Sequence, residues 1–577
     1  MFLYLFLLCY FVIGSSLSQE CEIRDQASNT VKMQITGDGL HRKLHASVFI
    51  EATSRFSQCR LMYRFNIPRT MYIDDNALNS SLINHELIVI RSFDVEATAK
   101  NSKAKHVHLI RRKLFLSTFE IKDEVTLPIH MRYPPAGNSP FHFTEFDMGV
   151  EKQKSRNLGK FFLAFAFATI CLFLILHKPL PSGFAKSKID RVTLHVIEPV
   201  LRAVYYYPSR MFSKPTDMVW WTRLSLNGLA KVTGPITVFD HSLKVQNKEW
   251  NGVAVRVFNP VDNTSTTGGA VVFIHGGGFA LGNVEMYDSL TRRIAKQMNT
   301  FVVSIEYRLS PETPFPGGLH DCENALAYLF EHGAEEYGID LNRVVVMGDS
   351  AGGNLATTIT QRRVARGQKP AIAGQVLLYP LLQLADLQTV SYRYFHKRLD
   401  GFALVDPESV AYYYMFYAGI DMNEKKYLVP YVLTNGHIKQ ELKSKINEKM
   451  SYENVIDTYP NYNNTTIPKR WPVRENEEAQ ELLKDFLTNP DFSPMMRENL
   501  SGMPKSLVIT CEYDVLRDEG IIYAERLKKA GVPTTAVNYK NGFHAMLNMH
   551  NEVLEASNCL NDVISWTLNN VIQVHSE

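Results

Sequence analysis

An α/β fold is predicted for the C-terminal part of the chain, from about residue 265 onward, with a small β-rich region and one long apolar run ahead of it. Three observations predict this order. After about residue 265, short β-branched runs alternate with helix-like stretches, the pattern of a largely parallel sheet covered by helices. Between residues 31 and 133 the apolar runs are short, strand-like and separated by polar turns. Phe161–Leu176 then supplies sixteen residues with no charge and only Thr169 polar. The 577 residues suggest two to four domains at roughly 150 residues each. A composition of 45% hydrophobic and 21% charged residues fits a chain with a real core and excludes general disorder. A net charge of +3, from 62 basic and 59 acidic residues, gives no electrostatic basis for a nucleic-acid partner. Seven cysteines without a CxxC pair suggest neither a disulfide scaffold nor a zinc site, and no cofactor is implied.

The chain opens on an apolar run, Phe2–Ile13, followed by Ser16 and Ser18 at the −3 and −1 positions of a cleavage before Gln19. Twelve apolar residues are too few to span a bilayer but suit a signal peptide over residues 1–18. Residues 19–150 then form a separate module. Its runs HASVFIEA, HELIVI, HVHLI, KLFLSTF and EVTLPIHMRY favour strands, and no nucleophile elbow, Gly-rich loop or His/Cys/Asp cluster accompanies them. This reads as a β-sandwich-like lumenal binding or stabilising module. Cys21 and Cys59 either bridge in an oxidising compartment or remain two thiols. The stretches FNIPRTMYIDDNAL (65–78) and LPIHMRYPP (127–135) resemble the PIG-X family over roughly residues 30–135. That resemblance implies a non-catalytic lumenal subunit stabilising the GPI mannosyltransferase I of the endoplasmic reticulum, with the catalytic subunit as partner. Family members carry more lumenal sequence after this element; here Phe161 follows within about 25 residues, so the module is shortened.

The run Phe161–Leu176 would span about 24 Å as a helix, a little short of the ~30 Å hydrocarbon core. Leu158, Gly159 and a snorkelling Lys160 extend it. An amphipathic core helix would show recurring polar positions, so a transmembrane helix over 158–177 is expected. The junction Pro134–Lys160 includes Met148, which begins MGVEKQKSRNLGK, a sequence fit to start a stand-alone anchored hydrolase if two neighbouring reading frames are joined here.

In the C-terminal part, strands are expected at AVVFI (270–274), FVVSI (301–305), VVVM (344–347), QVLLY (375–379), SLVIT (506–510) and TTAVN (534–538). Helices are expected around 286–298, 321–333 and 518–530, and after residue 350. The strand VVVM runs into Gly348-Asp349-Ser350-Ala351-Gly352, a G-x-S-x-G pattern between a strand and a helix, the context of a nucleophile elbow. The strand AVVFI ends in His275-Gly276-Gly277-Gly278, where glycines expose backbone N–H groups to an oxyanion. Gly276, Gly277 and Ala351 are assigned as its donors. The remaining triad members should follow in the order acid, then histidine. Asp514 and His544 both sit just past strand ends, where sites form in open α/β sheets. Asp518 is the rival acid, read instead as the cap of the next helix.

These motifs, with EYRLSPE (306–312), FPGGLHDCENAL, TCEYDVLRDEG and NGFHAM, resemble arylacetamide deacetylase and the hormone-sensitive-lipase group of α/β-hydrolases over residues 158–577. The resemblance implies an α/β-hydrolase fold over 190–577 and hydrolysis of lipophilic esters or amides through an acyl-enzyme. It also implies a membrane anchor with the catalytic part in the lumen. Family members often pair a Cys soon after HGGG with the Cys before the acid; position 280 is Ala here, so Cys511 should stay free. The stretch 380–503 should build a helical cap with residues 190–230. Tyr205, Tyr206, Tyr207, Trp220 and Trp221 line an acyl pocket, dock on a membrane or pack in the core. Against catalysis stands the reading of the chain as a mannosyltransferase subunit with an incidental hydrolase; the intact set of catalytic elements favours the enzyme. A cleaved signal with one membrane helix would place the hydrolase in the cytosol, whereas the hydrolase resemblance places it in the lumen. Four basic residues on each side of the helix do not decide. The expected location is the endoplasmic reticulum membrane, single-pass, with a lumenal hydrolase.

Overall fold

The computed structural model describes residues 28–36, 41–59, 62–67, 71–73, 85–89, 105–111 and 115–131, and residues 180–573 apart from 181–182, 185–186, 234–240, 262–267, 396–404 and 452–467. The expected signal peptide, Cys21, the junction and the run Phe161–Leu176 lie outside the described residues, and among the described residues no helix is long and apolar enough to cross a membrane. The chain forms two units, one before and one after residue 168.

Among the described residues the first unit holds seven strands: β1 Ser28–Thr36, β2 His41–Cys59, β3 Met62–Ile67, β4 Met71–Ile73, β5 His85–Val89, β6 Lys105–Arg111 and β7 Phe115–Met131. They form two sheets, ordered β1-β2-β7-β4 and β3-β6-β5, with antiparallel pairing throughout. Register sets the faces. Leu44 lies opposite Leu127 and Ala46 opposite Val125, and all four are buried. On the alternate face His45 lies between the hydroxyls of Thr36 and Thr126, each at 2.9 Å. The sequence reading broke β7 into two strands. The structure runs them together, because EIKD between them continues the strand and β2 pairs along both halves, with bulges after Glu51.

The second unit is built on an eight-stranded sheet: β8 Leu243–Trp250, β9 Val253–Pro260, β10 Ala270–Ile274, β11 Phe301–Glu306, β12 Val344–Asp349, β13 Gly374–Leu378, β14 Lys505–Tyr513 and β15 Thr534–Phe543, ordered β15-β14-β13-β12-β10-β11-β9-β8. The six strands from β10 onward pair in parallel, while β9 pairs antiparallel with both β11 and β8. β10, β12 and β13 are buried along their whole length, as a sheet covered on both faces requires. The hairpin β8–β9 is absent from the sequence reading. Its signal is Asn251-Gly252 between two alternating runs, with φ of 47° and 79°, the left-handed pair that a tight primed turn demands. The helix after β11 is longer than expected, Gly317–Tyr337, and ends where Gly338 takes φ 67°.

The insert between β13 and β14 supplies helices Val390–Phe395, Pro407–Tyr417, Gln440–Lys449 and Glu477–Leu487. Helices Lys188–Leu201 and Pro215–Thr233 precede β8. The two segments meet: Thr216 N–H and Oγ1 donate to Asn423 Oδ1 at 3.3 and 3.1 Å, and Lys426 Nζ donates to Ser213 O at 3.0 Å. Arg223 extends from the second of these helices to Ala280 O at 2.7 Å and Ser310 O at 2.6 Å, which ties it to the loops after β10 and β11.

Candidate active site

Ser350 stands between β12 and the helix Ala351–Ala365 with φ 52° and ψ −120°. A non-glycine residue pays on the order of 1–3 kcal/mol for such a conformation, so the surroundings must hold it. They do so by leaving no room for side chains. A Cβ on Gly348 would lie 2.3 Å from Gly352 O, and one on Gly352 would lie 2.1 Å from Ile274 O. Both glycines of the pentapeptide are therefore required by close backbone approach. Ser350 N–H donates to Leu378 O at 2.9 Å and Leu381 N–H donates to Ser350 O at 3.1 Å, fixing the turn from both sides.

The turn aims Ser350 Oγ at His544 Nε2, 3.0 Å away, and His544 Nδ1 lies 2.8 Å from Asp514 Oδ2. A carboxylate only accepts, so Nδ1–H donates to Asp514 and the neutral ring leaves Nε2 to accept from the serine hydroxyl. All three side chains are buried. Asp514 is held in turn by Leu516 N–H, which donates to its Oδ1 at 2.9 Å. The Tyr379 ring meets the imidazole edge-on at 5.1 Å.

Asp518, the rival acid, is directed elsewhere: it accepts from Ser391 N–H at 2.6 Å and Arg517 Nε at 3.0 Å. It is not a cap either. The helix Arg517–Lys529 starts after Leu516, and Asp518 lies within its first turn, pinning the insert to it.

The loop after β10 corrects one assignment. Gly276 N–H donates to Asp349 Oδ1 at 2.7 Å, so it is committed and cannot face an oxyanion. Gly276 must be glycine for another reason: a Cβ there would lie 2.8 Å from both Asp349 O and Oδ2. The N–H groups of Gly277 and Gly278 follow it, in a loop turned by φ of 117° and 60°. A Cβ on Gly277 would meet Leu281 O at 2.3 Å, and one on Gly278 would meet the Tyr413 ring at 2.5 Å. Gly278, which the sequence reading left out, is the next residue of this loop after Gly277. Ala351 N–H opens the next helix, next to the serine.

Three further buried groups brace this loop. Asp349 also accepts from Tyr287 Oη at 3.0 Å, and burial pushes its pKa up to about 6 against those donors. His275, lowered to about 4 by burial, is neutral and donates from Nδ1 to Gly276 O at 2.8 Å. Tyr307 Oη donates to His275 O at 2.9 Å. Asp349 was legible as the second residue of the pentapeptide, but nothing in the sequence joins it to Gly276.

Aromatic rings from the insert lie against the same loop. Phe279, at φ 62°, stacks on Tyr417 at 3.7 Å, and Phe492 packs on Tyr417 at 5.0 Å. Of the aromatics singled out earlier, Tyr206 is buried, Tyr207 and Trp220 are exposed and Trp221 faces Phe212 at 6.0 Å; the side chain of Tyr205 lies outside the described residues. Cys511 is a free buried thiol.

Glu519, behind the site, accepts from Leu382 N–H at 2.7 Å, Gln383 Nε2 at 2.9 Å and Tyr392 Oη at 3.2 Å. Burial pushes its pKa from 4.5 up to about 8. The folded chain thus keeps a proton that the unfolded chain releases above pH 4.5, so stability falls as pH rises from there toward 8. The slope from this one group is at most about 1.4 kcal/mol per pH unit. Glu519→Gln should flatten the decline of Tm between pH 5 and 8, read by thermal unfolding of the full chain; an unchanged slope would assign the decline to other groups.

Residues 271–440 and 457–548 match the family model described as alpha/beta hydrolase fold, and residues 37–150 match PIG-X / PBN1. Arylacetamide deacetylase of Oryctolagus cuniculus is 33% identical over 322 residues, covering 54% of this chain and 76% of that protein. Neutral cholesterol ester hydrolase 1 of Rattus norvegicus is 32% identical over 317 residues, covering 53% and 74%. A solved esterase of Pyrobaculum calidifontis is 26% identical and covers 65% of this chain and 99% of its own, with a TM-score of 0.46. The chain belongs to the family of carboxylic-ester hydrolases that includes arylacetamide deacetylase and neutral cholesterol ester hydrolase, and carries a PIG-X segment ahead of its hydrolase part.

Proposed function

We propose that the chain hydrolyses lipophilic carboxylic esters or amides through an acyl-enzyme on Ser350. One observation carries this reading: the unbroken relay from Ser350 through His544 to Asp514, set beside the glycine loop. Ser350 Oγ bonds to the substrate carbonyl carbon as its proton passes to His544 Nε2. Asp514 holds the ring and stabilises its cationic form. The N–H groups of Gly277, Gly278 and Ala351 receive the oxyanion, each worth about 10²–10³ in rate. His544 then protonates the leaving alcohol or amine, and water attacks the acyl-serine by the same route in reverse. No metal or organic cofactor takes part. The names of the relatives, arylacetamide deacetylase and neutral cholesterol ester hydrolase, support an apolar substrate. The full chain should label with a serine-directed fluorophosphonate and turn over p-nitrophenyl esters, with kcat/KM rising with acyl chain length. Absence of both labelling and turnover in folded protein would overturn the assignment.

The match of residues 37–150 to PIG-X favours a second role beside the first, as a lumenal partner of the catalytic GPI mannosyltransferase subunit. Co-purification of that subunit, lost on deleting residues 19–150, is the expected result. The location we propose is the endoplasmic reticulum membrane, spanned once by residues 158–177, with the hydrolase in the lumen. Asn499 begins a sequon and its side chain is exposed, so a glycan can be placed there. Glycosidase treatment should therefore lower the mass of the native protein, and Asn499→Gln should remove part of that change. Digestion of the hydrolase part by protease outside sealed microsomes, with a glycan on Asn79, would contradict the lumenal placement.

A further inference from the structure

The helix Lys188–Leu201 buries charged side chains beside Leu194 and leaves apolar ones outside. Asp190, Glu198 and the following Arg202 are buried, at 2%, 3% and 1% exposure, while Ile189 and Val192 are 75% and 65% exposed. A surface helix in water buries its apolar stripe and exposes its charges. Here the buried charges are partnered, which fixes the orientation. Asp190 accepts from Leu554 N–H at 2.9 Å and Glu555 N–H at 3.3 Å, at the start of the helix Leu554–Thr567. Glu198 pairs with Arg202 at 3.2 Å. Rotating the helix to hide Ile189 and Val192 would break these bonds and strand charges inside.

The apolar exposure continues along the chain. Met211 is 84% exposed and Phe212 38%; on the helix Pro215–Thr233, Trp220 and Leu224 are 60% and 52% exposed, one turn apart. Seven of the twelve large apolar side chains that stand exposed among the described residues fall between 189 and 224. Such concentration marks an interaction surface, since scattered single exposures are the norm elsewhere.

We propose that this face, carried by Ile189, Val192, Met211, Phe212, Trp220 and Leu224, seats on a lipid bilayer. The proposal rests on the reading of residues 158–177 as a membrane span, and two facts name the occupant. Ser187, the cap of the first helix, follows Leu176 by eleven residues, a tether of at most ~40 Å, so the face is held within reach of the bilayer surface. Among the described side chains between 187 and 220, Lys188, Arg191, Lys214 and Asp217 face outward, while Asp190, Glu198 and Arg202 are buried. Three of these four outward charges are basic, which suits anionic headgroups, and a tryptophan at the rim suits the interface. The consequence reaches the site. Arg223 joins the helix that carries Trp220 and Leu224 to Ala280 O and Ser310 O, which ties this face to the loop beside Ser350.

The test uses the full chain reconstituted in phosphatidylcholine/phosphatidylserine vesicles, with the photocrosslinker p-benzoylphenylalanine placed at position 192, 211 or, as control, the exposed Lys529. Illumination should attach phospholipid at 192 and 211 several-fold more than at 529. Lipid attachment no greater than at 529, or attachment of a second copy of the chain instead, overturns the proposal. Alkaline carbonate extraction of the same vesicles reads the membrane span separately. A chain that carbonate releases but that still captures lipid at 192 and 211 keeps the docking face and loses the span. Val192→Glu/Met211→Glu should lower turnover of a vesicle-embedded long-chain ester about tenfold and leave a short soluble ester unaffected; equal loss on both substrates would contradict docking.

Discussion

Ser350→Ala should remove ester turnover to the level of the uncatalysed reaction and abolish fluorophosphonate labelling, with the fold retained. The loss expected for a serine nucleophile held by a histidine is about 10⁶ in kcat. Folding should not suffer. The elbow is imposed by Gly348 and Gly352 and by the hydrogen bonds of Ser350 N–H and C=O, all of which alanine keeps. Thermal unfolding on the same samples separates a dead enzyme from an unfolded one. Turnover reduced by less than about tenfold would mean that another group attacks the carbonyl, since the loss would fall below even ordinary general-base effects.

His544→Ala should cost nearly as much as the serine change. The two act as a unit, so the double variant Ser350→Ala/His544→Ala should be scarcely worse than either alone. Its cost to stability differs. Removing the imidazole leaves Asp514 buried with only Leu516 N–H as partner, which costs about 1–3 kcal/mol. The expected result is a folded protein with a lowered Tm and background turnover by steady-state kinetics. Retained turnover would shift the base to another histidine. His275, in the loop after β10, is held at Nδ1 by Gly276 O.

Much of this site is legible in the sequence because its chemistry forces rare residues into short spans. A nucleophile at φ 52° needs glycines on either side, and His275-Gly276-Gly277-Gly278 needs glycine for crowding as well as exposure. That second requirement is where the sequence misleads. It marks Gly276 as a residue without a side chain but not why, and the reason is the approach of Asp349 from β12, 73 positions away. The choice between Asp514 and Asp518 likewise rested on strand ends, while what separates them is tertiary: one faces His544, the other Ser391 and Arg517. The fold follows the same rule. Buried strands such as β10 and β12 announce themselves by β-branched runs, whereas β8 is largely exposed, β9 is interrupted by Ala254 and Arg256, and the pair was signalled only by the Asn251-Gly252 turn. The orientation of the helix Lys188–Leu201 could not be read at all, because Asp190 is bound by the backbone of a helix some 360 residues later.

The most direct test of the acyl-enzyme account is the position of the covalent adduct. Trypsin should release residues 344–362 as one peptide, VVVMGDSAGGNLATTITQR, from the fluorophosphonate-treated full chain. Mass spectrometry should find that peptide heavier by one phosphonyl group, with fragmentation placing the group on Ser350 and with none on the Ser350→Ala chain. An adduct on any other peptide, or undiminished labelling of the alanine variant, would contradict the central assignment.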